Sequence, residues 1–78
     1  MIKYELKDKQ IEEMGKRFTY HAPKGDQAER YVEIRATAHA FALGLSQTCP
    51  ESRELSLALT KMEEVVFWAN AAIARREE

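Results

Sequence analysis

The chain has 78 residues, with 12 Lys and Arg against 13 Asp and Glu and a formal net charge of −1. That length allows one domain with a small core, near the limit of independent stability, and the even charge excludes a bulk binder of polymeric nucleic acid, which shows a basic excess. A single cysteine, Cys49, excludes an intrachain disulfide, and no cluster of His, Cys and carboxylates suggests a metal; oligomerisation is the support left for so short a chain.

The amino terminus, MIKYELKDKQ, is too charged for a signal peptide. Ile2, Tyr4 and Leu6 alternate with charges, which suggests a short extended segment. Asp8 is placed to cap a brief first helix. Ile11, Met14 and Phe18 lie three and four apart on one face of it. Gly15 suits its carboxy-terminal cap, although a helix continuing to Phe18 fits the same spacing.

Residues 19–25, TYHAPKG, read as a loop. Pro23 holds Ala22 extended and Gly25 permits a turn. Asp26 then resembles a helix cap, with Glu29 at the capping-box spacing. The second helix is expected over about Gln27 to Leu45, with Tyr31, Ile34, Ala38, Phe41 and Leu45 as its apolar seam. Ala28, Ala36, Ala40 and Ala42 allow another backbone to come close. Gly44, the polar residues 46–48 and Pro50 mark a turn. Ser52 caps the third helix, Glu54 sits near its positive end, and Arg75 and Arg76 complement its negative end.

The third helix, about Ser52 to Arg76, contains no Pro or Gly. Leu55, Leu59, Met62, Val66, Ala69 and Ile73 recur in a heptad-type seam. A second apolar row, Ala58, Val65 and Ala72, runs beside it, and Phe67 and Trp68 widen it. An ordinary surface helix has one apolar stripe. This one has enough for a partner within the chain and for other copies. The longest unbroken apolar run, Val65 to Ala69, is far too short to span a bilayer. The expected fold is all-α: a short N-terminal helix or extended segment (1–18), a loop (19–25) and a long antiparallel helical hairpin (26–77). Residues 1–78 form a single domain assembled into a homo-oligomer, soluble and cytoplasmic.

Catalytic patterns are weak. Ser46, Ser52 and Ser56 lack a nucleophile elbow. Cys49 has no evident base in its neighbouring sequence and reads as a packed or idle thiol. His21 and His39 sit on different elements and read as polar-contact or core residues rather than metal ligands. Glu63 and Glu64, like Glu12 and Glu13, point about 100° apart on a helix and form no acid pair. Trp68 reads as interface or core packing.

The loop FTYHAPKGDQ allows two readings. Phe18, Tyr20 and His21 stand beside Lys24 and Gly25 just before a helix. Rings stack on bases, cations neutralise phosphate and helix-start amides favour anions, so the loop suits a planar anion. Alternatively Tyr20 and His21 only staple the loop to the hairpin. Arg35 is either a solvated, ion-paired residue or a phosphate contact across a subunit boundary. Thr37, between Ala36 and Ala38, is a short hydroxyl within reach of a ligand.

The strings FTYHAPKGDQAERYVEIR and CPESRELSLALTKMEEVVFWANAAIARREE resemble the phage anti-CBASS cyclic-nucleotide sponge family, whose helical hairpin domain is shared with the anti-Thoeris signal sponges. The resemblance spans about Phe18 to Glu77. The motifs YHAPKGDQ…RY..IR and SLALTKMEE..FWANAAIAR carry it, and their combination is more specific than either alone. It implies a homohexamer without enzymatic activity or cofactor, acting in the bacterial host cytoplasm. The implied ligands are cyclic dinucleotides, in pockets shared by two subunits, and cyclic trinucleotides, where three subunits meet.

For the dinucleotide site the resemblance implies a stacking tyrosine, matched by Tyr20, and a basic residue about four turns on, where Arg35 falls. The family's residue there is a lysine; arginine keeps the charge and changes the geometry. For the trinucleotide site it implies a threonine, matched by Thr37, and an arginine near the end of the last helix, either Arg75 or Arg76. The loop adds His21 and Lys24 as candidate ligand contacts. The start at Ile2 to Leu6 matches no family motif. The competing reading is a small phage helical oligomer that binds a host protein through its apolar C-terminal helix; a small nucleic-acid binder and an enzyme fit the sequence less well.

Overall fold

The computed structural model describes residues 2–77. Three helices follow in order: α1 (Asp8–Phe18), α2 (Gln27–Thr48) and α3 (Arg53–Arg76), with no strand among the described residues. Residues 2–7 form neither helix nor strand.

The start of α1 differs from expectation. Lys7 takes the N-cap position and Asp8 is the first helical residue. The Gln10 side chain accepts from the Lys7 amide at 2.8 Å, so the first turn is tied back by an amide instead of a carboxylate. Gly15 does not end the helix. Its φ is not positive, and Glu13 and Arg17 bridge across it as an i,i+4 pair. The 3-4 apolar spacing therefore carries α1 on to Phe18, and Thr19 leaves it in extended conformation.

Asp26 precedes α2 as expected, but no capping box forms. Its carboxylate accepts instead from Arg30 Nε one turn on, at 3.1 Å. The capping work passes to Gln27, whose Oε1 accepts from the Lys24 amide at 3.0 Å. Gly25, in between, adopts φ +57°, a left-handed turn that suits a residue without Cβ. At the other end α2 continues past Leu45 to Thr48. Gly44 is helical, and Ser46 and Thr48 donate back to the carbonyls of Ala42 and Gly44 at 3.0 and 2.9 Å. The polar stretch expected to form the turn thus satisfies its hydroxyls inside the helix. The turn narrows to residues 49–52, where Ser52 Oγ accepts from the Leu55 amide at 3.1 Å as the N-cap of α3.

α2 and α3 pack along one another as an antiparallel hairpin. Arg30 and Gln27, near the start of α2, reach Glu77, just past the end of α3; Arg30 Nη1 to Glu77 Oε2 is 2.7 Å. The whole heptad seam of α3, Leu55 through Ile73, is half-buried, facing Tyr31, Ile34, Ala38 and Leu45. The second row stays in solvent: Val65, Phe67 and Trp68 are 57%, 63% and 66% exposed; Phe41, expected in the α2 seam, is 57% exposed as well and lies at its margin. Among the described residues no apolar side chain is fully buried; the buried one is Gln27.

The shape explains this. The radius of gyration is 17.4 Å, where a compact chain of this length would have about 11.5 Å. The extents are 50 × 37 × 14 Å, roughly the thickness of one helix with its side chains. One layer of helices cannot enclose a core.

Candidate functional site

The open end of the hairpin, opposite the turn, carries the loop 19–25. His21 fixes it: Nε2 lies 2.8 Å from the Lys16 carbonyl, so the loop is stapled to α1 through the imidazole. Tyr20, next to it, is not stapled and stands 83% exposed. The loop is thus tied to α1 and not, as the staple reading expected, to the hairpin.

A recess of about 450 Å³, open to solvent, lies between this loop and the hairpin. Tyr20 and His21 come from the loop, Tyr31 and Arg35 from α2, Phe67 and Arg75 from α3. Tyr31 and Arg35 are one turn apart, as are Phe67 and Ala71, so each helix presents one face to it. Arg17 reaches it from α1. None of the described side chains lining it is acidic. Arg35 and Arg75 form no ion pair among the described residues. The result is a half-open recess lined by rings and arginines, suited to stacking and to neutralising an anion.

Lys24 does not line this recess. It borders a smaller one, about 330 Å³, with His21, Gln27, Arg75 and Glu77. Thr37 lies elsewhere, in a groove of about 560 Å³ floored by Ile34, Phe41, Val65 and Val66. Arg75 borders the loop recesses, whereas Arg76 is turned to Glu13, with Nη1 and Nη2 each 2.7 Å from a carboxylate oxygen. Within one chain, then, Tyr20, His21, Arg35 and Arg75 come together, Lys24 is adjacent, and Thr37 and Arg76 stand apart.

Arg17, Tyr31, Phe67 and Asn70 line the main recess without having been singled out from the sequence. Tyr31 was assigned to the seam, yet its one-turn spacing from Arg35 was visible. Asn70 sits among small residues at the end of the α3 seam; its Oδ1 is buried and has no hydrogen-bond partner among the described residues.

The ion pairs near this end set the charges. The Arg76 and Arg17 guanidiniums hold the Glu13 carboxyl down to about 2. Arg30, with help from Gln27, does the same for Glu77, also to about 2. The reciprocal effect raises the pKa of Arg30 and Arg76. His21 contacts a backbone carbonyl, and Cys49 is in the turn at the far end of the hairpin. No group of three or more His, Cys, Asp or Glu among the described residues is arranged to hold a metal ion. Nor, among those residues, is a helix long and apolar enough to cross a membrane.

The class these features define is an all-α helical hairpin with a ring- and arginine-lined end. More particularly, the chain belongs to the Acb2/Tad1 hairpin-domain family, whose model matches residues 10–74, five sixths of the sequence. It is the family of phage anti-CBASS and anti-Thoeris sponge proteins, which bind signalling molecules and are not known as enzymes. No curated protein and no solved structure matches the chain.

Proposed function

We propose that this protein is a phage-encoded sponge that binds cyclic di- and trinucleotide messengers in the cytoplasm of the bacterial host. It holds them intact and thereby blocks activation of CBASS effectors. The observation that carries the reading is the recess of Tyr20, Tyr31, Arg35 and Arg75, taken with membership of a sponge family.

The recess supports a site shared between copies. It is open on one side, and pockets that hold small ligands bury most of their surface. A cyclic dinucleotide has two bases, two phosphates and its own twofold. Two facing copies of the recess supply one Tyr20 per base and one Arg35 per phosphate. The exposed row of Val65, Phe67 and Trp68 provides apolar surface to join the copies, and a homohexamer is the proposed assembly. Thr37 and Arg76 lie on separate surfaces of one chain, so a trinucleotide site built from both takes them from different subunits. Arg75 is the C-terminal arginine presented to the dinucleotide recess.

The test is calorimetry of the full chain against a panel of cyclic di- and trinucleotides, followed by denaturation and mass spectrometry of the released ligand. The proposal expects tight binding to at least one member and recovery of unchanged ligand. A folded protein that binds none of the panel, or that returns linear products, overturns it.

A further inference from the structure

Glu13 occupies a position suited to an external anion. Its two carboxylate oxygens accept from both terminal nitrogens of Arg76, each at 2.7 Å, and Oε2 also accepts from Arg17 Nε at 2.6 Å. One carboxylate thus serves two guanidiniums, leaving the trio with a net positive charge. Arg17 and Arg76 both border a recess of about 460 Å³, together with Arg75, Phe18 and Trp68. The two rings are 85% and 66% exposed. Three arginines beside two exposed aromatic rings suit a phosphate attached to a planar base.

The same carboxylate holds α1 in place. No residue of α1 is buried, and α2 and α3 are the helices packed side by side. Glu13 links α1 to Arg76 on α3, and His21 ties the following loop back to the Lys16 carbonyl of α1. A bidentate carboxylate and a phosphate make the same forked contact with a guanidinium. An incoming phosphate therefore replaces Glu13 like for like, and α1 loses that one link to α3.

We propose that Glu13 is an internal competitor seated on Arg17 and Arg76, and that a phosphate group displaces it and so removes the Glu13 link between α1 and α3. The nature of the physiological ligand rests on the sponge reading; the seat and its competitor do not. Glu13 stays ionised at any physiological pH, since Arg76 and Arg17 hold its pKa near 2, so the competition is permanent.

The experiment uses the full chain, as wild type, Glu13→Gln and Glu12→Gln. The last removes the same charge from the exposed neighbour, which pairs with neither arginine. Inorganic pyrophosphate is titrated while the arginine Nε–H NMR signals are followed, and amide hydrogen exchange of α1 is read with and without it. Glu13→Gln should tighten pyrophosphate binding roughly five-fold, the scale of losing an exposed charged competitor. Glu12→Gln should leave it within about two-fold, an effect of net charge alone. In the wild type, saturating pyrophosphate should raise α1 exchange to the level of Glu13→Gln. Equal affinity in Glu13→Gln and wild type overturns the proposal, as does equal tightening in the Glu12→Gln control or unchanged α1 exchange at saturation. A parallel titration with cyclic tri-adenosine monophosphate reads quenching of Trp68, the one tryptophan in the chain. Tightened pyrophosphate binding with no calorimetric binding of any member of the cyclic di- and trinucleotide panel supports the seat and defeats the sponge reading.

Discussion

Replacing Tyr20 by alanine separates a ligand contact from a loop staple. Tyr20 is 83% exposed, and the loop is held by His21, Gln27 and Gly25 rather than by the phenol ring. The fold should hardly notice the change. A surface substitution of this kind shifts stability by no more than about 0.5 kcal/mol, or under about 4 °C in Tm for a chain of this size. Binding should respond strongly. A stacked ring contributes about 1–3 kcal/mol per base. A twofold site with two Tyr20 rings then loses about 2–6 kcal/mol, so Kd for a cyclic dinucleotide rises at least about 30-fold. Tyr20→Phe keeps the ring and should stay within about three-fold of wild type, since base stacking tolerates the loss of the hydroxyl. Calorimetry and thermal melts on the same samples decide between the roles. A Tyr20→Ala protein with wild-type affinity and a lowered Tm refutes the stacking role and leaves Tyr20 as a staple.

Val65→Glu puts a charge in the exposed apolar row without entering the hairpin seam, since Val65 is 57% exposed. Sedimentation should show smaller species with unchanged helicity; an intact assembly would remove this row from the interface. Ser52→Ala removes the acceptor of the Leu55 amide at the start of α3 and should cost about 1 kcal/mol, visible as a fall of about 4–8 °C in Tm. Acid should act in a defined window. Glu13 and Glu77 titrate near 2 in the folded chain against an ordinary value of 4.5. Their stabilisation is therefore complete above pH 4.5 and is lost as pH falls towards 2. Melts should be flat across neutral pH and decline between those limits, less steeply in Glu13→Gln; a decline beginning near pH 6 would contradict the assignment.

Most of the fold was legible because the chain follows a helical period almost without interruption. The seam from Leu55 to Ile73 located the hairpin contact, and the parallel row at Val65 located surface that one chain leaves exposed. The misread boundaries share a cause. Gly44 and the run at residues 46–48 look like breakers locally, but each lies inside a helix whose side-chain-to-backbone hydrogen bonds continue across it; at Gly15, of the two endings the spacing allowed, the helix continuing to Phe18 is the one that forms. Asp26 looked like a cap, yet Arg30 at i+4 and Gln27 at i+1 redirected the bonding, a competition that residue type alone does not rank.

The candidate recess was half legible. Tyr20 and Arg35 could be tied to a ring-and-cation pattern, and the hairpin brings them together with Arg75. Arg17 and Tyr31 could not be found so easily, because their place depends on how α1 and the loop fold back over α3. That Arg76 rather than Arg75 pairs with Glu13, 63 residues away, was hidden for the same reason.

Native mass spectrometry of the protein purified from cells making cyclic oligonucleotides reads assembly, occupancy and ligand integrity together. The account predicts a closed multiple of the chain carrying intact cyclic nucleotides, with occupancy lost in Tyr20→Ala. A ligand-free single chain that stays folded under the same conditions would contradict it.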